Sequence, residues 1–242
     1  MTTFVLVHGS WHDGSAWQPV IEALEAAGHS AFGPTLAGHG AGADKNVNHD
    51  DCVWSIINYI TEHDLNDFVL VGHSFGGTVI ARVAEEIPDR IRRLVFWSAF
   101  VLPAGTSLRD ELPPHYRTRF DQMASESADH TVDVVSFDLW RESFIGDADL
   151  EAAQASFKTL SPEPYQPFKD LLDLTRFYQL TTPRSYLVGT EDIAIPPGED
   201  SWHPRHSSRL GNYRLVQMPG SHELLFSNPV GLAGKIVEAG RD

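Results

Sequence analysis

The stretch that decides the fold is Phe68-Val69-Leu70-Val71-Gly72-His73-Ser74-Phe75-Gly76-Gly77. Its first four residues are all apolar, which predicts a short strand buried on both faces. The pattern Gly-x-Ser-x-Gly follows at once, and an amphipathic stretch predicts a helix over Gly76–Glu86. A sharp turn from strand to helix, with glycines to avoid clashes, presents Ser74 at the carboxyl edge of a sheet, above the positive end of the helix. The segment therefore predicts a serine nucleophile, although a serine that merely joins the two elements gives the same pattern.

Strand and helix patterns alternate on both sides of this segment. Residues 4–7 and 94–97 are apolar runs that predict further buried strands, and residues 16–27 and 51–65 carry apolar side chains at helical spacing. A weaker strand is predicted at 31–34. Alternation of this kind is typical of an α/β fold with a mostly parallel, doubly wound sheet covered by helices on both faces.

The alternation stops between residues 101 and 182. This stretch contains six prolines and ten aromatic residues and no strong strand pattern, which predicts an inserted, mostly helical lid. Strand patterns return at 186–188 and 213–216, and a last helix is predicted at 230–239. The predicted organisation is a core of residues 1–100 and 183–242 with a lid at 101–182. The lid aromatics suggest an apolar pocket wall; the candidates are Phe120, Phe137, Trp140, Phe144 and Phe157.

Composition narrows the class of partner. The chain has 242 residues, with 18 lysines and arginines against 33 acidic residues, so the formal net charge is −15. Such a field repels phosphates, which argues against nucleic acid as a partner. No apolar run is long enough for a membrane span, and Met1-Thr2-Thr3 is not the basic start of a secretory signal. A single cysteine, Cys52, cannot form an internal disulfide. The expected location is the cytoplasm.

A serine hydroxyl needs a base, and position selects one of the 12 histidines. His222 follows the predicted strand at 213–216, and Asp192 follows the one at 186–188. Serine, acid and histidine in this chain order are typical of a triad on such a sheet. Asp192 would hold the imidazole in the right tautomer. Glu191, the neighbouring residue, is one alternative for the acid. Asp110, which comes after the predicted strand at 94–97, is a more distant one.

A developing oxyanion needs hydrogen-bond donors. The backbone N–H of Phe75 stands at the start of the helix. The second donor is expected from the loop after the first strand, His8-Gly9-Ser10-Trp11, where the N–H of Ser10 is the natural candidate. The same loop could be only a turn.

These segments resemble the α/β-hydrolase superfamily, and more narrowly the plant methylesterase and hydroxynitrile lyase group with its bacterial esterase relatives. The similar segments are residues 4–12 with Trp17, the Gly28-His29 pair, residues 36–40, residues 69–77, residues 191–196 with Trp202, and Gly220-Ser221-His222. The resemblance covers both halves of the core and is weak through the lid. It implies an α/β-hydrolase fold.

The resemblance also implies roles for individual residues. Ser74, Asp192 and His222 become the triad, and Ser10 and Phe75 the oxyanion hole. His12 matches a histidine of the group beside the opening loop, with a structural or pocket-lining role. Trp140 and Phe144 are expected to line the substrate pocket. Members of the group are often dimers, so a homodimer is the assembly that the resemblance favours, while the sequence itself specifies no oligomeric state.

The expected activity is hydrolysis of a small apolar or aromatic carboxylic ester through an acyl-enzyme, with no cofactor and no metal. The lyases of the group carry lysine directly after the base histidine, and this chain has Glu223 there, which favours hydrolysis. Aspartate replaces the nucleophilic serine in dehalogenases, so Ser74 excludes that activity.

Three alternatives remain open at this stage. A cofactor-free oxygenase or lyase, or a non-catalytic small-molecule receptor, can keep the same triad on the same fold. A metal hydrolase is disfavoured because the pairs His203/His206 and His8/His12 have no cysteine or clustered aspartate at ligand spacing.

Overall fold

The computed structural model describes residues 1–134 and 136–242. Its centre is a six-stranded sheet in the order β2-β1-β3-β4-β7-β8, and every pairing between neighbouring strands is parallel. The strands of this sheet are β1 Thr3–Val7, β2 Ser30–Phe32, β3 Phe68–His73, β4 Ile91–Trp97, β7 Arg184–Gly189 and β8 Arg214–Met218. The predicted α/β class and parallel sheet are confirmed.

The strand order explains where a site forms. From β1 the chain proceeds to β2 on one side of the sheet, and from β3 it proceeds to β4 on the other. The carboxyl ends of β1 and β3 therefore flank the point where the winding reverses, which is where open α/β sheets bind ligands. Ser10 follows β1 and Ser74 follows β3, so the fold brings their loops together.

Helices cover both faces of the sheet. The α-helices are α1 Gln18–Ala26, α2 His49–Glu62, α3 Gly76–Glu86, α4 Leu108–Glu111, α5 Pro114–Glu126, α6 Phe137–Leu139, α7 Leu150–Phe157, α8 Gln166–Lys169, α9 Leu224–Ser227 and α10 Pro229–Ala239. The observed α2 begins two residues before its predicted start because Asn48 and Asp51 form a reciprocal capping box. A short 3₁₀ turn, Gly14–Trp17, precedes α1 and accounts for the earlier start predicted there.

Two apolar layers fill the space between sheet and helices. One face of the sheet packs with α1 and α10 through Val20, Leu24, Leu232 and Ile236. The other face packs with α2 and α3, and its layer continues into aromatic side chains of the inserted segment. β3 and β4 lie in the middle and contribute to both layers, which explains why their sequences are continuous apolar runs rather than alternating ones.

The segment between β4 and β7 contains α4 to α8 and a two-stranded antiparallel ladder of β5, Thr131–Val132, with β6, Glu163–Pro164. A single π-helical turn occurs at Trp140–Phe144, and residues Trp202–His206 form a kinked segment in which His203 is extended. In the described residues, no helix is both long and apolar enough to cross a membrane.

Candidate active site

Ser74 occupies the strained turn between β3 and α3. Its φ is +52°, a left-handed conformation that few serines adopt. Glycines are required on either side, because a Cβ on Gly72 would lie 2.6 Å from the Gly76 carbonyl oxygen, and one on Gly76 would lie 2.7 Å from that of His8. Three backbone hydrogen bonds hold the turn: Ser74 N–H donates to Trp97 O, and Ser74 O accepts from the N–H groups of Gly77 and Phe100. This geometry places Ser74 at the carboxyl edge of the sheet, as predicted.

His222 and Asp192 lie on adjacent loops at the same edge. Nδ1 of His222 is 2.7 Å from Oδ2 of Asp192, and both side chains are buried. The other oxygen of Asp192 accepts the N–H of Ala194. Glu191 is exposed at this point, and its N–H donates to Gly220 O, which ties the two loops together.

Asp110, the more distant candidate for the acid, is engaged elsewhere. Its carboxylate accepts the backbone N–H and the hydroxyl of Ser107 in a capping box at the start of α4. Asp192 is therefore the carboxylate that the structure brings to His222.

The contact with Asp192 sets the proton affinity of the histidine. Burial alone lowers the pKa of His222, but the charge of Asp192 and its hydrogen bond raise it, and the net result is a raised pKa. His73 lies 4.5 Å away, ring centre to ring centre, and has no such partner; burial holds its pKa well below the usual value. Of these two neighbouring rings, only His222 is suited to carry a proton during turnover.

Two backbone N–H groups beside Ser74 are free to bind an oxyanion. The loop after β1 lies directly against the nucleophile, since a Cβ on Gly9 would be 2.9 Å from Ser74 Cβ. Neither the N–H of Ser10 nor that of Phe75 donates a hydrogen bond to another group in the described part of the chain. The next N–H, that of Trp11, is already taken by Glu163 Oε2 at 2.8 Å.

A narrow apolar cavity opens onto these groups, with about 40 Å³ of free volume. Ser74, Ser10 and His222 form its polar end. Its other lining residues are Trp11, Phe100, Leu108, Leu112, Tyr116, Phe120, Phe144, Phe168, Ala194, Ile195 and Trp202. Ser74 makes no hydrogen bond to His222 within the described residues, and such bonds are often long until substrate is bound.

Of the lid aromatics expected at the pocket wall, Phe120 and Phe144 line this cavity, whereas Phe137, Trp140 and Phe157 do not. Trp140 is fully buried behind it, because its ring stacks on Phe144 at 5.3 Å and its indole N–H donates to Ser156. His12 lies farther back against Trp140 and Phe226. Both residues support the wall from behind. The expectation for Trp140 was a place on the cavity surface, and that for His12 was a structural or pocket-lining role.

Within the described residues, one group of side chains could together hold a metal ion. It consists of His73, His222 and Glu223, whose ligand atoms lie within 4.8 Å of one another. Because Nδ1 of His222 faces Asp192, a metal there would have to bind Nε2 of that ring to leave the contact intact. Oε2 of Glu223 is 3.2 Å from Nε2 of His12, although the two atoms are not aligned for a hydrogen bond.

Sequence reasoning missed residues that shape the site from outside the motifs. Trp202, quoted only as part of the resemblance, stacks on His222 with ring centres 5.1 Å apart. Glu163 contacts the loop after β1 from the inserted segment. A buried glutamate between two prolines carries no periodic signal, so nothing in the sequence indicated its role.

The family model described as "Alpha/beta hydrolase family" matches residues 4–235. The chain belongs to this family. The strained serine turn, the acid and histidine loops and the parallel sheet agree with that membership, and the predicted α/β-hydrolase fold is confirmed.

Among solved structures, an extracellular α/β-hydrolase from a Paenibacillus species is 42% identical over 100% of both chains, with a TM-score of 0.96. That protein is described as sharing structural and functional homology with tobacco salicylic acid binding protein 2.

Two curated proteins extend the comparison. A carbendazim hydrolyzing esterase from Nocardioides sp. (strain SG-4G) is 42% identical over 47% of this chain, and the matched segment spans about half of that esterase, 48%. Methylesterase 1 of Arabidopsis thaliana is 26% identical over 82% of this chain and 81% of its own length. The resemblance to methylesterases and bacterial esterases is confirmed, and this chain is a carboxylic ester hydrolase on the α/β-hydrolase fold.

Proposed function

We propose that this α/β hydrolase cleaves small, uncharged aromatic or alicyclic carboxylic esters through an acyl-enzyme on Ser74. The observation that carries the proposal is the polar end of the cavity. There Ser74 lies beside the N–H groups of Ser10 and Phe75, which donate no hydrogen bond within the described residues. His222, which contacts Asp192, lines the same cavity. Nucleophile, base and oxyanion donors are the three parts that acyl transfer requires.

The proposed reaction follows from these positions. Neutral His222 accepts the Ser74 proton through Nε2 while Oγ attacks the ester carbonyl, and the N–H groups of Ser10 and Phe75 bind the oxyanion. The imidazolium, stabilised by Asp192, then gives its proton to the leaving alkoxide, and an alcohol departs. Water repeats the sequence on the acyl-enzyme and releases the carboxylic acid.

The cavity favours a particular class of ester. Beyond its polar end, the lining is aromatic or aliphatic, with the Tyr116 phenol as a further polar group. The free volume of about 40 Å³ is far below the roughly 300–1,000 Å³ of ordinary ligand sites, so even a small aromatic acyl group must displace side chains to enter, and a bulky one must displace more of them. A charged acyl group would lose its hydration there without gaining a partner.

Hydrolysis is favoured over the lyase alternative by the residue after the base. The Glu223 carboxylate is buried beside His222 and His12, and a second negative charge there disfavours a bound cyanide anion.

The test is rapid-mixing kinetics with a panel of p-nitrophenyl esters whose acyl groups run from acetyl to benzoyl and naphthoyl. We expect a burst of one p-nitrophenolate per active site, followed by a slower steady state, with small aromatic and alicyclic acyl groups turned over best. Binding of esters without any turnover would support the receptor alternative, and oxygen consumption without hydrolysis the oxygenase. A best substrate with a carboxylate-bearing acyl group would contradict the proposed class.

A cytoplasmic location and a homodimer stay predictions. The similar Paenibacillus protein is described as extracellular, so cell fractionation is the direct test of location, and light scattering of the purified protein is that of assembly.

A further inference from the structure

Glu163 is a buried carboxylate that the proposed reaction does not use. It belongs to β6, in the inserted segment between Pro162 and Pro164, and is 0% exposed. Its Oε2 accepts the N–H of Trp11 at 2.8 Å, and its Oε1 lies 3.0 Å from Nε2 of His39. A single carboxylate therefore joins the inserted segment to two loops at the carboxyl edge of the sheet.

Trp11, which follows the proposed oxyanion donor Ser10, has a strained backbone. Its φ is +65°, a conformation that bulky residues keep only when their surroundings hold them. Hydrogen bonds to the inserted segment do so. Trp11 N–H donates to Glu163, its carbonyl accepts from Ser161 N–H at 2.9 Å, and its indole N–H donates to Val132 O at 3.1 Å. The Trp11 N–H belongs to the Ser10–Trp11 peptide plane, so the contact with Glu163 restrains ψ of Ser10 and, with it, the loop that carries the Ser10 N–H.

His39 connects Glu163 to the second donor. Its Nδ1 lies 2.9 Å from the carbonyl oxygen of Ala37, which can only accept, so Nδ1 carries a hydrogen. Nε2 and Glu163 Oε1 must then share a further proton between them. The His39 ring lies parallel to that of Phe75, 17° apart in plane and 5.9 Å between centres. Glu163 thus holds the His39 ring, and the His39 ring holds the ring of Phe75. The N–H of Phe75 is the other proposed donor.

We propose that Glu163 is a positioning residue for the oxyanion hole, acting on Ser10 through Trp11 and on Phe75 through His39. The inference rests on the proposed acyl-transfer function. What matters is the length of the side chain and its two separate hydrogen-bonding atoms. A glutamine can reproduce both contacts, with its oxygen accepting from Trp11 and its amide N–H donating to Nε2 of His39. An aspartate keeps the charge but is one methylene too short to reach both partners.

The experiment compares Glu163→Gln with Glu163→Asp on the best ester of the panel. We expect Glu163→Gln to keep kcat within about threefold and Glu163→Asp to lose about tenfold or more in kcat at nearly constant KM, since loss of one oxyanion donor alone costs about 10²–10³. Glu85→Asp is the matched control. Glu85 is also buried, and its Oε1 accepts a backbone N–H, that of Phe177, but at the far end of α3. It should lower the melting temperature and leave kcat unchanged.

An inhibitor pair separates positioning from general damage. An aryl trifluoromethyl ketone adds to Ser74 Oγ and forms a hemiketal oxyanion, whereas the corresponding methyl ketone binds without appreciable addition. In Glu163→Asp, the inhibition constant of the first should rise by the same factor as kcat/KM falls, and that of the second should not change. Equal weakening of both ketones, or equal losses in the Asp and Gln variants, would overturn the inference.

Further outcomes distinguish the two proposals. Full activity in a folded Glu163→Asp protein, with Ser74→Ala inactive, would reject the role of Glu163 and leave the acyl-transfer function standing. Full activity in Ser74→Ala would reject the function itself. If Glu163→Asp does not fold, Glu163→Gln decides, since a loss of more than about tenfold in kcat there contradicts the inference.

Discussion

The cavity has two halves that come from different parts of the chain. Loops of the central sheet bring the groups suited to chemistry: Ser10, Ser74 and His222, with Asp192 behind. The inserted segment contributes apolar walls, among them Phe120 and Phe144. We infer from this difference that the sheet loops determine which reaction occurs and that the inserted segment determines which ester enters. The predictions below test this division, starting with the largest expected effect.

Replacing Ser74 by alanine should lower kcat by about 10⁴–10⁶, because only binding and the oxyanion donors remain. The matched control is Ser98→Ala. Ser98 follows the next strand of the sheet and, like Ser74, has a positive φ, here 39°, but it is fully buried and does not line the cavity. It should keep activity near the wild-type value. Steady-state kinetics measure both variants, and a serine-directed phosphonate should add its mass to the Ser74 peptide of the wild type alone.

Asp192→Asn should lower kcat by about 10⁴ with the fold intact, because the imidazole then favours the wrong tautomer. The pH profile gives a second readout. Activity needs neutral His222, so kcat/KM of the wild type should rise with pH through the raised pKa of that histidine. Without the Asp192 carboxylate, the pKa of His222 should fall, because the charge and hydrogen bond of Asp192 are what raise it. The acid limb of the kcat/KM profile should therefore move to lower pH. The exposed neighbour gives the control, and Glu191→Gln should change little. A larger loss of kcat in Glu191→Gln than in Asp192→Asn would mean that the acid of the triad is Glu191.

Phe144→Ala should change selectivity while sparing the chemistry. The substitution removes part of the apolar wall beside His222 and so enlarges the cavity. The kcat/KM for bulky acyl groups should therefore rise relative to that for small ones by about 10–200-fold. Phe137→Ala removes an aromatic ring of the same segment that packs on Phe157 outside the cavity, and it should leave the ratio unchanged. A common drop for all esters in Phe144→Ala would mean that this wall is structural only.

The smallest expected effect concerns His206, which lies on the sheet side beneath Phe100 and Trp202. Burial lowers the pKa of His206 to about 3. Because the folded pKa is depressed, protonation below about pH 6.5 favours the unfolded chain, and stability is lost as pH falls. Between pH 7.5 and 5.5 this histidine should account for about 1 kcal/mol of the loss in unfolding free energy.

Urea unfolding of the wild type and of His206→Gln at both pH values tests this. The variant should lose about 1 kcal/mol less than the wild type on acidification, whatever its stability at pH 7.5. An identical loss in both proteins would show that His206 already accepts a proton in the folded state.

Some of this protein was determined by the sequence alone. Continuous apolar runs can be satisfied only by strands buried on both faces, so β1, β3 and β4 were predictable, and with them the parallel sheet. The turn at Ser74 is equally local, because glycines 72 and 76 are imposed by backbone contacts within a few ångströms. The positions of His222 and Asp192 followed from their place after a strand.

Tertiary structure alone decided the rest. Phe144 and Trp140 are both buried aromatic residues of one short segment, and only packing puts one on the cavity surface and the other behind it. Glu163 is 152 residues from Trp11 in sequence, and no local pattern links them. The spacing of apolar residues along a helix or strand indicates which of its side chains are buried. It does not indicate which distant element packs on them. The apolar walls and the contacts around Ser10 and Phe75 depend on that covering.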